Sequence, residues 1–183
     1  MKKQSIKSHL TSYSIIRKRK TTINHAFASA IAPVDKYDEV ALDAALRILG
    51  QNPDDLRCVY CGSHADTWDH LIGLVKDEKL RGFGRQLGNL VPCCRACNSK
   101  KGSKDWEVYL REMPLQNNSF EEKSRLIASY LSKATEVNLK RPEEMFPVEW
   151  KRYAEIKEEI FNLMREADEI AEKLNKVVAS RQF

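Results

Sequence analysis

Cys58-Val-Tyr-Cys61 and Asn89-Leu-Val-Pro-Cys-Cys-Arg-Ala-Cys97-Asn98 are the two stretches whose reading decides the fold. Four of the five cysteines fall here as Cys58-x-x-Cys61 and Cys94-x-x-Cys97. Two such pairs supply four thiolates in a tetrahedron around Zn²⁺, at about 2.3 Å each. The gap between the pairs exceeds the roughly 15–20 residues of a simple zinc ribbon, so the two knuckles flank an inserted element. A redox Cys-x-x-Cys would account for one pair and leave the other unexplained. Cys93, beside Cys94 at the end of an apolar run, reads as a small buried residue rather than a ligand.

Within the insert, Ala65 to Leu74 and Asn89 to Pro92 read as strands, joined by a Gly-containing basic loop. Arg95 to Lys101 then reads as a short helix stopped by Gly102. A strand, a loop, a second strand and a helix, fastened by thiolates, are expected to bring Asp69, His70 and Asn98 to one face. Asp and Asn offer hard oxygen ligands that suit Mg²⁺ better than Zn²⁺. A neutral imidazole accepts a proton at physiological pH. A hard-metal site beside such a base is an arrangement that cleaves phosphodiesters.

Working outward, Asp35 to Leu49 is an amphipathic helix stopped by Gly50, and Asn52-Pro53-Asp54 turns the chain into the first knuckle. Ser119-Phe-Glu-Glu122 is a capping box opening another helix. Beyond it, Tyr153, Ile156, Ile160, Leu163, Ala167, Ile170, Leu174 and Val177 recur at spacings of three and four. Met164, Ala171 and Val178 widen that stripe. Both packing against the chain's own helices and a dimer contact fit this pattern. The expected organisation is a basic amino-terminal arm (1–34), a flanking helix and turn (35–53), a core (54–112) and a helical carboxyl-terminal region (113–183).

The net charge of +5 on 183 residues hides an asymmetry. Residues 1–34 hold Lys2, Lys3, Lys7, Arg17, Lys18, Arg19 and Lys20 and no acid, while the other 149 residues carry 24 basic and 26 acidic groups. Such an arm favours a polyanion, although a solvated tail has the same composition. Between Lys76 and Lys104 there are eight Lys/Arg against Asp77 and Glu78. The longest near-apolar run, Ala26 to Val34, has nine residues. That is far short of the roughly 20 a membrane span needs. The first 20 residues lack the apolar core of a secretory signal, so a cytoplasmic location is expected.

The string Cys58-Val-Tyr-Cys61, Asp69-His70 and Asn89 through Cys97-Asn98-Ser-Lys-Lys101-Gly resembles the zinc-stapled branch of the HNH endonucleases. The resemblance covers roughly residues 55–112. It implies an α+β fold: a small ββα-metal core with a four-cysteine zinc site, flanked by α-helices on both sides. It also implies that His70 is the general base, that Asp69 and Asn98 ligate a catalytic Mg²⁺ for which Mn²⁺ can substitute, and that Asn89 pins the loop orienting the base. Cys58, Cys61, Cys94 and Cys97 would hold structural Zn²⁺. Lys100, Lys101, Arg85 and Arg95 are the expected nucleic-acid contacts, with double-stranded DNA the expected partner and a restriction or defence nuclease the leading role. Homing, phage-packaging and repair nucleases share the same core, and RNA is a possible substrate. A non-catalytic zinc-stabilised binding module is the alternative, in which Asp69 and His70 are structural.

Overall fold

The computed structural model describes residues 3–76, 79–81, 83–114, 119–135 and 142–179. The architecture is α+β. After a 3₁₀ turn over Lys3–Ser8, the elements in order are α1 (Ile15–Ile31), α2 (Glu39–Ile48), β1 (Thr67–His70), β2 (Val75–Lys76), β3 (Lys79–Leu80) and β4 (Leu90–Cys93). They continue with α3 (Arg95–Lys101), α4 (Trp106–Glu112), α5 (Ser119–Thr135), α6 (Pro142–Met145) and α7 (Pro147–Ala179). The chain divides into two compact units, one of residues 28–141 and one of residues 1–27 with 142–183.

In the first of these units, β1 and β4 pair antiparallel with Thr67 opposite Cys93 and His70 opposite Leu90. Two short strands cannot bury enough surface to stand alone. Their inner face, Asp69, Val91 and Cys93, therefore packs into a core with Tyr60, Leu71, Leu110, Ile127 and Tyr130, each of these five fully buried. Tyr60 meets Tyr109 edge-on, with ring centroids 5.1 Å apart. Tyr130 ties α5 to the sheet by donating its hydroxyl to the Leu90 carbonyl at 2.6 Å.

The first strand is shorter than the expected Ala65 to Leu74. At Ile72 the ladder is replaced by a side chain: Asn89 Oδ1 accepts from Ile72 N at 2.9 Å, and Asn89 Nδ2 donates to Ile72 O at 3.2 Å. The expected basic loop contains a short antiparallel pair instead, β2 with β3. Its Asp77, Glu78 and Gly82 lie outside the described residues. Gly84 is required by packing, since a Cβ there would sit 2.0 Å from the Pro33 carbonyl oxygen.

In the other unit, the basic stretch is helical from Ile15. Asp168 of α7 caps that helix. Its carboxylate accepts from Ile15 N at 2.6 Å, Ile16 N at 3.1 Å and Ser14 Oγ at 2.8 Å, so it satisfies donors a helix start leaves open. Tyr153 stacks at a tilt on Phe27 and donates its hydroxyl to the Phe27 carbonyl at 2.9 Å. Phe161, absent from the heptad reading, is the buried anchor of α7. Ile156, Leu163, Ile170 and Val177, spaced by seven, are exposed. No helix among the described residues is long and apolar enough to cross a membrane.

Candidate functional site

Two backbone turns assemble the metal centre. At the first, Gly62 takes φ +77°, donates to the Cys58 carbonyl and lets Cys61 turn back beside Cys58. Val59 N donates to Pro92 O at 3.0 Å, fastening this turn to β4. At the second, Cys94 is the N-cap of α3, and its Sγ accepts from Cys97 N at 3.4 Å.

The four Sγ atoms of Cys58, Cys61, Cys94 and Cys97 all lie within 4.8 Å of one another. Cys61 and Cys94 are 3.7 Å apart. Four sulfurs at about 2.3 Å from one ion would stand at this kind of spacing, so the donor set fits tetrahedral Zn²⁺. Among the described residues no other group of three or more Cys, His, Asp or Glu converges this way. Cys93 is buried behind the site, 3.9 Å from Cys58 Sγ. Its thiol hydrogen bond, ahead of burial, which opposes it, draws the Cys58 thiol down to about 4. Burial pushes Cys97 up to about 12.

Strand pleat then separates Asp69 from His70. Asp69 faces inward, where Oδ2 accepts from the Tyr60 hydroxyl at 2.8 Å. The Lys101 ammonium lies 3.2 Å from Oδ2 and 3.3 Å from Oδ1, and donates to the His70 carbonyl at 2.8 Å. Burial, and then the Asp69 charge, raise the Tyr60 hydroxyl pKa, so it stays a donor.

His70 shares the outer sheet face with Trp68 and Leu90 and is half-buried. Its Nε2 is itself buried and has no hydrogen-bond partner among the described residues. Burial lowers its pKa; Asp69 opposes this, and Arg85 and Lys101 reinforce it. Asn98 comes to the same strand, its Nδ2 donating to Trp68 O at 3.3 Å. Asn89 is fully buried and spans the loop from Ile72 to Gly84 O, the latter at 3.0 Å.

This is the order and spacing of a known domain. Residues 58–104 match the family model of the HNH endonucleases. Neither the curated proteins nor the solved structures include a match to the chain. The four-cysteine cluster inside the matched segment is compatible with the zinc-binding branch of that family.

The cations of the HNH segment divide sharply. Lys100 and Arg85 are exposed. Arg95 is exposed too, but pairs with Asp66 at 3.3 Å. Lys101, expected on the nucleic-acid face, is 2% exposed and committed to Asp69. Lys76 and Arg81 both bind Asp105, whose carboxyl the Arg81 hydrogen bond holds below the usual range. Lys104 pairs with Glu112. Much of the local positive charge is therefore neutralised within the fold. Sequence reasoning missed Tyr60 and Asp105, because a lone Tyr or Asp carries no pattern.

Proposed function

We propose that this protein is a metal-dependent HNH endonuclease that hydrolyses phosphodiester bonds in DNA. The observation that supports the reading is His70 on β1, its Nε2 buried and without a partner among the described residues, directly after Asp69 and on the strand to which Asn98 is hydrogen-bonded. His70 takes a proton from water, and the resulting hydroxide attacks phosphorus in line with the departing 3′ oxygen. A neutral imidazole suits this, being unprotonated yet basic near neutral pH. Asn89 holds the turn after His70 and so orients the ring. Cleavage leaves a 5′-phosphate and a 3′-hydroxyl.

Asp69 and Asn98 would hold the catalytic ion. An ionised carboxylate has about four acceptor positions. Tyr60 donates to Oδ2 and the Lys101 ammonium to Oδ1, so an ion here would share the carboxylate with both donors. Mg²⁺, or Mn²⁺ in its place, would supply neutralisation of the charge that develops on the phosphate. Four thiolates would leave a bound zinc no open position for water.

Lys100 and Arg85 are the proposed phosphate contacts, with Arg95 at the edge. The exposed heptad row of α7 is the proposed homodimer contact, which would bring two sites to a duplex. A restriction or defence role is the biological setting proposed with it.

Plasmid nicking with Mg²⁺ or Mn²⁺ tests the reading, comparing wild type with His70→Ala. Nicking by wild type and its loss in the variant, with DNA binding retained, supports the enzyme. Binding by both proteins with cutting by neither, on DNA and on RNA, leaves a zinc-stabilised binding module. Mapping the cleaved ends on random-sequence DNA reports specificity and strand stagger together.

A further inference from the structure

A cavity of about 360 Å³ lies beside β1, lined by Tyr37, Trp68, Arg85, Gln86, Leu87 and Leu90 among others. Ligand pockets run from roughly 300 to 1,000 Å³, so this one suits a single planar ring system rather than an extended ligand. Two residues apart on one strand, Trp68 and His70 point to the same sheet face, roughly 6.6 Å apart along the chain. Leu90, opposite His70 on β4, lines the cavity as well. The cavity therefore adjoins the proposed base residue on the outer face of the sheet.

Its lining is unusual for a sheet surface. Trp68 is 41% exposed and Tyr37 is 81% exposed. Gln86 is 3% exposed, and its Oε1 has no hydrogen-bond partner among the described residues. Arg85 and Lys36 are exposed cations of the rim. The rim acids are already engaged: Asp35 accepts from Leu87 N at 2.7 Å, and Asp38 caps α2 by accepting from Ala41 N at 3.0 Å. Two aromatic rings and cationic side chains beside the proposed base residue are the groups that hold a base and its backbone.

We propose that this cavity is a nucleobase subsite, which takes one unpaired base flanking the scissile phosphate, stacked on Trp68 with Arg85 on the adjoining phosphate. The assignment rests on the nuclease reading for the position of that phosphate. It makes the preferred substrate a DNA whose base is free to leave the helix, whether single-stranded, bulged or flipped.

The test uses the full zinc-loaded chain carrying His70→Ala, so that nothing is cut. Affinity is measured by fluorescence anisotropy for a fully paired hairpin and for the same hairpin with one unpaired nucleotide. The bulged hairpin should bind about ten-fold more tightly, the scale of one stacked base. Adding Trp68→Ala should erase the difference, and Trp68→Phe should restore most of it. Equal affinity for the two hairpins in the His70→Ala chain alone overturns the subsite, whether or not the Trp68 variants fold. So does a preference that survives Trp68→Ala in a folded protein. If Trp68→Ala leaves both affinities alone and changes the oligomeric state, the surface is a protein contact instead. Nicking by wild type without any bulge preference removes the subsite and keeps the nuclease. A Trp68-dependent preference without nicking removes the nuclease and keeps the base site.

Discussion

The ammonium of Lys101 lies 3.2 Å from Asp69 Oδ2 with the two side chains 2% and 7% exposed, a buried ion pair that joins α3 to β1. Removing one partner of such a pair leaves an uncompensated charge and costs about 3–5 kcal/mol. Lys101→Met should therefore lower stability by that amount in urea unfolding. Lys101→Met with Asp69→Leu should cost less than the sum of the single changes, because the two effects are coupled. Additive losses would show that the pair does not act as a unit.

Lys100 and Lys101 are neighbours in sequence and opposites in the fold. Lys100→Ala should weaken DNA binding across sequences and reduce the slope of log affinity against log salt by about one. Lys101→Met should leave that slope unchanged where the protein remains folded. Titrations at several salt concentrations check both. An equal change in slope for the two variants would place Lys101 on the DNA.

Zinc should be a folding ligand, with binding free energy on the order of 10–16 kcal/mol at neutral pH for a structural site. A strong zinc chelator is expected to melt residues 58–104, seen as loss of ellipticity and of near-ultraviolet tyrosine signal. Withholding magnesium is expected to leave the spectrum intact and abolish nicking. Native mass spectrometry should count one zinc per chain. Melting on removal of magnesium alone would contradict this division of roles.

Asp168 predicts an acid-sensitive helix. Its hydrogen bond from Ile15 N, with those from Ser14 and Ile16, holds its carboxyl below the usual value. A group with a lowered folded pKa contributes stability that is fully present above the unfolded value, about 3.9, and is lost as pH falls through the folded value. Protection of the Ile15 and Ile16 amides, measured relative to the unstructured exchange rate at the same pH, should therefore be high at neutral pH and fall in that acid window. Asp168→Asn should exchange faster at neutral pH and show no such step. Protection that is independent of both pH and the substitution would mean that the carboxylate does not cap α1.

The metal-binding thiols were legible in the chain because a tetrahedral ion imposes short, repeated spacings on its ligands. Arg95–Lys101 was legible as a helix for a similar reason, since a cysteine cap at Cys94 and a stop at Gly102 are local signals. The heptad pattern of α7 left two readings open, packing within the chain and a dimer contact. It singled out Ile156, Leu163, Ile170 and Val177, which are exposed, and passed over Phe161, which is the buried contact. Periodicity records which residues are apolar, and two apolar faces on one helix overlap in the same pattern.

Asp69 and His70 show where reading the chain ends. Their types and order marked a candidate phosphodiester site, and the chain by itself determined the four-cysteine cluster and the α+β class. Only the tertiary structure decided that Asp69 turns inward to Tyr60 and Lys101 while His70 turns outward beside Trp68. It also decided which cations are spent on Asp66, Asp105 and Glu112 rather than left for phosphate. Ligand spacing is a local property written along the backbone. Burial and charge pairing depend on partners far away in sequence, which only the packed chain brings within reach.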